Sequence, residues 1–502
     1  MEESPLEIIS EFVAAFDGYP GDLMHRWSRK YGNSVQFSLL TNATLSTVEP
    51  EHVKAILTTQ FDSFEKGPLL ISQIRSLLGS GVFNSDGEMW KFHRSITRQF
   101  FTRERISDFE IYHRTCERSF AAARKRLAEG YPIDFQDLTA RFTLDSTTAF
   151  LFGSSVDSLS AGIPYPPWDA ERNLPSFYDH PSNKFVGAFA EGLALAAFRL
   201  GRGGEWPLAE FFQDKIRPFR KVMDDFTEPL LRDALAKRET ELAENKLHLD
   251  AEEETLLAHL VKRTQDPKIL KDELVNLLVA GRDSVMCLLS YSLYMLSEHP
   301  EIEKRLRQEI YDKVGSMSCP THAHLRELKF MRAFLNEVLR LYPPVPLNFR
   351  TNKKPVVLPA VRPGEAPIYV PADTSCMYTV INIHRRTDLW GPDALEFDPD
   401  RFIDERLQKY LAPNPYIFCP FNAGPRVCLG QQFAYNEASF YLVRLLQHFT
   451  RFTLDMSANT PPPSAWAAGD GLKSREKIQP MSHLTMSIKG GLWVRMEELN
   501  DP

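Results

Sequence analysis

The 502-residue sequence predicts one large, mainly helical unit, and three observations carry that reading. Apolar residues recur at helical spacing through most of the chain, notably over 110–127, 138–152, 185–198 and 328–341. Between Leu274 and Leu296 runs the longest apolar stretch, too long for a strand and broken chiefly at Asn276 and Arg282-Asp283-Ser284. Alternating, strand-like patterns are confined to Val35–Leu40, Ala43–Val48 and the C-terminal end around Lys489-Gly490-Gly491.

Composition bounds the function. With 43% hydrophobic and 25% charged residues the chain is ordinary globular protein. A formal charge of −7, a pI near 6.1 and no basic tail argue against a nucleic-acid partner. Six dispersed cysteines form no C-x-x-C pair and no disulfide framework. The N-terminus, Met-Glu-Glu-Ser-Pro, has neither a basic leader nor an apolar span, so a membrane anchor is expected to be absent from residues 1–502, read as a single domain.

In chain order, Pro50 opens a short helix to Leu57, since proline suits the first helical position. Lys66–Val82 reads as an apolar, glycine-punctuated connection, either a covered loop or the lining of a greasy pocket. Trp90 and Arg94, four apart on a helix running towards Phe101, share a face and can both reach an anion, although such a pair is more often a cation-π contact. Lys91, Arg98, Arg103 and Arg105 make that region basic and suit an acidic electron donor. Residues 154–183, rich in proline and serine, read as a long loop. Two helices follow, Phe185–Phe198 and Pro207–Leu235, and then a charged, exposed helical stretch over 236–267. In the apolar run, Gly281 weakens the helix and needs a reason: a flat ligand against that face, or a close helix crossing. Asp283 and Ser284 are an acid and a hydroxyl side by side within this buried run. Glu337 and Arg340 lie three apart before Pro343-Pro344 ends their helix, and Arg350 follows.

The segment around which the rest is organised is Phe421-Asn422-Ala423-Gly424-Pro425-Arg426-Val427-Cys428-Leu429-Gly430, feeding a helix near Gln431. A thiolate at Cys428 would meet free N–H groups and the positive end of a helix dipole, the environment of a soft metal ligand. Gly424 and Gly430 allow a sharp turn and the approach of a flat cofactor, Phe421 and Leu429 wall off water, and Arg426 offers a cation to a carboxylate.

Phe-x-x-Gly-x-Arg-x-Cys-x-Gly resembles the cysteine-ligand loop of the cytochrome P-450 family at all five fixed positions. The likeness extends from about Tyr19 through Ala280-Gly281-Arg282-Asp283-Ser284-Val285, Glu337-x-x-Arg340, Phe397-Asp398-Pro399-Asp400-Arg401-Phe402 and Leu341–Arg350. Within the family it is nearest the fungal alkane and fatty-acid hydroxylases. The family's Thr-Thr is Ser284-Val285 here, which keeps the hydroxyl and loses its rotamer-holding methyl.

The resemblance implies the cytochrome P-450 fold, mainly α with a smaller β-rich lobe, and haem b held without a covalent link, since Ala280 stands where animal fatty-acid hydroxylases carry an esterifying Glu. It implies Cys428 as the iron ligand, Trp90, Arg94, Arg350 and Arg426 on the propionates, and Glu337, Arg340 and Arg401 as a lock behind the cofactor. A thiolate opposite bound dioxygen favours O–O cleavage, with Asp283 and Ser284 relaying protons. The implied partners are O2, an NADPH-dependent flavoprotein reductase, a small lipophilic substrate and a membrane surface, at the cytosolic face of the endoplasmic reticulum. The expected reaction is oxygen insertion into a C–H bond of a long-chain fatty acid or alkane. Oxidation of a terpenoid, polyketide or xenobiotic is an alternative, as are an isomerase or dehydratase, a peroxygenase and a non-enzymatic haem sensor.

Overall fold

A computed structural model describes residues 10–11, 14–15, 18–39, 42–101, 109–243 and 255–499. Arg103, Arg105, Thr41 and residues 244–254 of the expected charged stretch lie outside these.

Eight helices frame the site: α1 (Pro68–Leu78), α2 (Gly87–Arg98), α3 (Phe135–Phe152), α4 (Pro181–Gly201), α5 (Arg217–Ala243), α6 (Pro267–Glu298), α7 (Lys329–Leu341) and α8 (Gln431–His448). Helix α6 is the axis of the molecule. Asp266 caps it by accepting from the Lys268 N–H at 2.9 Å, Pro267 occupies its first turn, and Pro300 opens the next helix after His299. At 32 residues it is about 48 Å long. Among the described residues it is the one helix long and apolar enough to cross a membrane, and it is a core helix, buried inside the protein.

Helices α3, α6, α7 and α8 enclose the main core with their aromatic residues. Phe142 meets Tyr441 with ring centroids 4.5 Å apart, Phe150 meets Phe433 at 4.7 Å, and Tyr291 stacks on Tyr342 at 4.4 Å. The crossing of α3 and α6 explains Gly281. A Cβ there would come within 2.6 Å of Thr147 Cγ2 and 2.7 Å of its Oγ1, so the glycine serves a close helix crossing.

The β-rich lobe is built from β1 (Ser34–Leu39), β2 (Asn42–Thr47), β3 (Phe64–Glu65), β5 (Asn348–Asn352) and β6 (Ser375–Tyr378), in the order β1-β2-β6-β5-β3. Among the described residues only β2 and β6 run parallel, with Leu45 opposite Cys376. A second sheet joins β4 (Ile133–Asp134), β10 (Trp493–Glu498) and β7 (Phe449–Leu454) in the order β4-β10-β7, and a hairpin pairs β8 (Pro480–Ser482) with β9 (Met486–Ile488).

Four sequence expectations are revised. Residues 66–82 hold helix α1 and not a loop: Pro68 starts it and Gly79, at φ +63°, ends it. The stretch 154–183 is a chain of short helical turns, opened at Pro167, Pro175 and Pro181 and pinned by the Asp145 carboxylate, which accepts the Ser158 N–H at 2.7 Å. The helix expected from Pro207 starts at Arg217, after a 3₁₀ segment Gly203–Glu210, because Arg199 gathers Glu210 and Asp214 into a buried cluster there. The C-terminal strands flank Gly490-Gly491 but do not pair with each other. β9 pairs with β8, and β10 with β7 and β4. Both glycines have positive φ, and a Cβ on Gly491 would strike the Asp134 carboxylate at 2.2 Å, so the turn serves to pass the chain from one sheet to the other.

Candidate haem-thiolate site

The cysteine loop is held from both sides before α8 begins. The Cys428 N–H donates to the Phe421 carbonyl at 3.0 Å, and Asn422, at φ +66°, accepts from the Tyr378 hydroxyl at 3.1 Å. Gly424 is required by the protein itself: φ is +67°, and a Cβ would lie 1.9 Å from the Leu57 carbonyl oxygen. Gly430 differs. Its φ of −83° suits any residue, and an added Cβ would meet only Cys428 Sγ at 3.9 Å and Phe101 at 4.0 Å. Of the two glycines, Gly430 alone leaves the space beside the sulfur open.

Cys428 has exposed surface yet lies deep within the surrounding atoms, as a side chain facing an internal hollow does. Burial pushes its thiol up, against the lowering effects of the Gly430 N–H and of Arg94. The start of α8 therefore does not by itself outweigh desolvation; the charge of a bound metal would, because a coordinating thiol loses its proton outright.

Around this hollow the structure gathers Trp90 and Arg94 on α2, Arg350 on β5 and Arg426 on the loop. The Arg426 guanidinium stands 4.4 Å from the Trp90 ring and that of Arg94 5.9 Å from it, so the cation-π contact weighed for the Trp-x-x-x-Arg pair is present. Among the described residues the Trp90 indole N–H and the Arg94 guanidinium have no hydrogen-bond partner, and Arg350 donates only to the Phe349 carbonyl, at 2.7 Å. Arg426 donates to Asp86 and, at 3.1 Å, to the Ser85 carbonyl. Sequence reasoning missed Lys66, which stands near Arg350 and Arg426. Burial first, and then these two cations, push the Lys66 ammonium well below the usual lysine range. Burial and Arg350 likewise bring Arg426 down to about 10. Four cations crowd together, and Asp86 is the one carboxylate ion-paired with any of them among the described residues. Two further carboxylates would relieve this field, and a haem with its two propionates fits both the donors and the sulfur.

Asp86 was also missed. It occupies the N-cap position of α2 but does not cap it, because its carboxylate accepts the Lys66 and Gly67 N–H groups at 2.8 and 2.9 Å as well as Arg426. Asn84-Ser85-Asp86-Gly87 reads locally as a turn and helix start, and nothing in that stretch reveals the distant partner.

The lock behind the loop is assembled as expected. Glu337 accepts from Arg340 Nε and Nη2, each at 2.7 Å, and Arg401 Nε lies 3.5 Å away. Arg340 also donates to the His384 carbonyl at 2.7 Å. His384, held neutral by burial with its pKa brought down to about 3, accepts the Cys419 N–H at 3.0 Å and so ties the lock to the chain entering the cysteine loop.

Asp283 and Ser284 are neighbours on α6 but are not joined. Successive side chains diverge by about 100° around a helix. Ser284 Oγ donates to the Ala280 carbonyl of its own helix at 2.7 Å, while Asp283 contacts Arg282 and, at 3.5 Å, the Thr485 hydroxyl. Burial raises the Asp283 carboxyl, and Arg282 opposes this. Ala280, Gly281 and Ser284, together with Val279, are partly accessible on a helix whose neighbouring residues here are buried.

An apolar cavity of about 160 Å³ lies between the β-rich lobe, α1 and α4. Of the segment Lys66–Val82, read from sequence as a possible pocket lining, Leu69 and Leu70 line the cavity, whereas Leu77 and Leu78 belong to a packed core. Leu23, Met24, Phe37 and Met377 complete the wall. Phe37 and Met377 come from strands that the sheet order brings together, and Leu23 and Met24 from the helix Asp22–Tyr31.

Comparisons with known proteins agree with this architecture. The cytochrome P450 family model matches residues 4–477. The chain is 35% identical over 472 residues to cytochrome P450 52A5 of Candida maltosa, covering 92% of this chain and 82% of that protein. It is 36% identical over 464 residues to cytochrome P450 52A13 of Debaryomyces hansenii (90% and 81%), and 32% over 456 residues to cytochrome P450 52E1 of Candida apicola (90% and 82%). With the match spanning nearly the whole chain, from the cysteine loop to the lock behind it, the chain belongs to the cytochrome P450 family of haem-thiolate monooxygenases.

Proposed function

We propose that this monooxygenase inserts one atom of O2 into a C–H bond of a long-chain aliphatic substrate, a fatty acid or alkane, with electrons from an NADPH-dependent flavoprotein reductase at the cytosolic surface of the endoplasmic reticulum. The observation that carries the substrate class is the cavity. Its wall is dominated by Leu23, Met24, Phe37, Leu69, Leu347 and Met377, so recognition rests on apolar burial.

The chain's own residues then divide the work. Cys428 would supply the thiolate, and Trp90, Arg94, Arg350 and Arg426 would hold the propionates. Phe421, which packs against Tyr435 at 5.1 Å, keeps water from the sulfur. The bound haem supplies the one-electron and dioxygen chemistry that no side chain provides. Ser284 presents a hydroxyl on the open stripe of α6 and would hold a proton there. Asp283 recharges it indirectly: its contact with Arg282 must loosen before its carboxyl can exchange protons with Ser284.

Titration of a homologous series of fatty acids, read as the Soret shift of the haem-loaded protein, tests this reading. Each added methylene should tighten binding about fourfold, from roughly 0.8 kcal/mol of burial, until the cavity is full. Binding that is flat across chain length, with tighter binding of compact polycyclic ligands, would reject the aliphatic substrate and leave the family assignment standing.

A further inference from the structure

We propose that the buried tyrosines Tyr291, Tyr342 and Tyr19, gathered on Glu476, form a one-electron outlet that carries an oxidising equivalent left unused at the haem site to the protein surface; this rests on the family assignment and on no particular substrate.

The chain starts on α6. Tyr291 follows Ser284 by seven residues on that helix, which places it about 10.5 Å further along and within about 20° of the same side. Its ring stacks on that of Tyr342, just past the end of α7, with centroids 4.4 Å apart and planes 9° apart, and both rings are buried. From Tyr342 the contact passes to a carboxylate. Glu476 Oε1 accepts from the Tyr342 hydroxyl at 3.2 Å and from the Tyr19 hydroxyl at 2.8 Å, and Oε2 accepts from that of Tyr294 at 3.1 Å. Tyr19 meets Trp466 edge-on at 5.3 Å and borders a polar surface cleft of about 470 Å³ that it shares with Asp22, Arg29 and Lys473.

The carboxylate makes these phenols a redox site. A tyrosine gives up an electron easily only if its phenol proton leaves at the same time, to a base already in hydrogen-bond contact. Among the described residues Glu476 has no direct ion pair and accepts from three phenols, an unusual set of partners for a carboxylate so deep in the protein. Arg385 stands off it, donating to the Tyr19 hydroxyl at 3.0 Å. Burial raises the Glu476 carboxyl and so strengthens it as a base, while its remaining exposed surface lets it exchange protons with solvent. Tyr291 donates instead to the Ser487 carbonyl at 3.0 Å, which cannot take a proton, so Tyr291 relays the electron and Tyr342 holds the radical.

When no substrate C–H bond is available, one electron leaves Tyr342 through the Tyr291 ring for the oxidised cofactor. The Tyr342 O–H bond breaks as its proton passes to Glu476, and a neutral phenoxyl radical remains. Tyr342 then regains an electron from Tyr19 and its proton from Glu476, while the Tyr19 proton takes its place on the carboxylate. A thiol or ascorbate at the cleft returns an electron to Tyr19, which takes its proton back from Glu476.

Haem-loaded parent, Tyr342→Phe, Glu476→Gln and Tyr19→Phe proteins are mixed with hydrogen peroxide without substrate, frozen at intervals and read by electron paramagnetic resonance, with bleaching of the Soret band followed in parallel. The parent should show a tyrosyl radical. Tyr342→Phe keeps the stacked ring but has no O–H to give, and Glu476→Gln removes the base. Both should lose the signal and bleach several-fold faster than the parent, with unchanged carbon monoxide spectra. Tyr19→Phe should form the radical as the parent does and lose it several-fold more slowly when ascorbate is added. A parent without a tyrosyl signal would overturn the proposal, as would a signal and a bleaching rate that persist unchanged in Tyr342→Phe or Glu476→Gln. Should those two variants fail to take up haem, the Tyr19→Phe kinetics decide: an unaltered decay with ascorbate would overturn the outlet.

Discussion

Glu337→Gln removes one negative charge from the lock behind the cysteine loop and changes almost nothing else in shape. Glu337 and Arg340 are fully buried, and both Glu337 oxygens are occupied: Oε1 accepts from Arg340 Nη2 at 2.7 Å and from the Asp398 N–H at 3.0 Å, and Oε2 accepts from Arg340 Nε at 2.7 Å. Whichever way the glutamine amide turns, its NH2 faces at least one guanidinium N–H. The loss of one charge-assisted hydrogen bond is worth about 1.5–3 kcal/mol. Leaving Arg340 and Arg401 without their shared carboxylate brings the total to about 3–5 kcal/mol, the range for a broken buried pair. That lowers the folded-to-unfolded ratio by about a hundredfold to a few thousandfold. Urea unfolding of the haem-loaded protein, followed in parallel by the Soret band and tryptophan fluorescence, measures it. The double variant Glu337→Gln/Arg340→Met should recover part of the loss, because the stranded cation is gone. A single-variant effect below about 0.5 kcal/mol, or strict additivity in the double variant, would refute the reasoning.

Gly281→Ala forces a methyl group against Thr147 and should destabilise the protein by about 1–2 kcal/mol, overpacking outweighing the better helix propensity; adding Thr147→Ala should restore stability, and an undisturbed single variant would contradict the close crossing. Glu437 is fully buried beside Ser146, and burial pushes its carboxyl up to about 8. The folded state thus retains a proton that the unfolded chain releases near pH 4.5, so this group's contribution to stability falls as pH rises from about 4.5 to 8 and levels off above; Glu437→Gln should flatten that slope, and an unaltered pH profile of urea midpoints would count against it. Ser284→Ala loses a hydroxyl whose recorded partner is its own helix, so haem content should hold while NADPH oxidation diverts to hydrogen peroxide; unchanged coupling of NADPH to product would return Ser284 to helix packing.

The parts of the molecule legible in the sequence are those fixed by local chemistry. The apolar run of α6, the strands β1 and β2, and the Glu337-x-x-Arg340 spacing all appear in the structure at or near their expected places. The likeness to the family at Cys428 and its neighbours points to the cysteine loop as the candidate site. What was not legible depends on partners far apart in the chain. Asp86 reads as an ordinary helix cap and binds Arg426, 340 residues away. Lys66 reads as one lysine in a connection, and only the pairing of β3 with β5 brings it beside Arg350. The Gly490-Gly491 turn carries a hairpin signal, and its strands join different sheets because β7 and β4 hold one of them. Leu77 and Leu78 are as apolar as Leu69 and Leu70, but the helix they share sends the first pair into the core and the second to the cavity.

The central proposal is that Cys428 would supply the thiolate ligand of a haem whose propionates Trp90, Arg94, Arg350 and Arg426 would hold. The most direct measurement is the carbon monoxide difference spectrum of the reduced, haem-loaded protein and of its Cys428→His variant. The account predicts the red-shifted Soret band of a thiolate complex in the parent and its complete loss in Cys428→His, even where that variant still retains haem. Persistence of the red-shifted band in Cys428→His would contradict it.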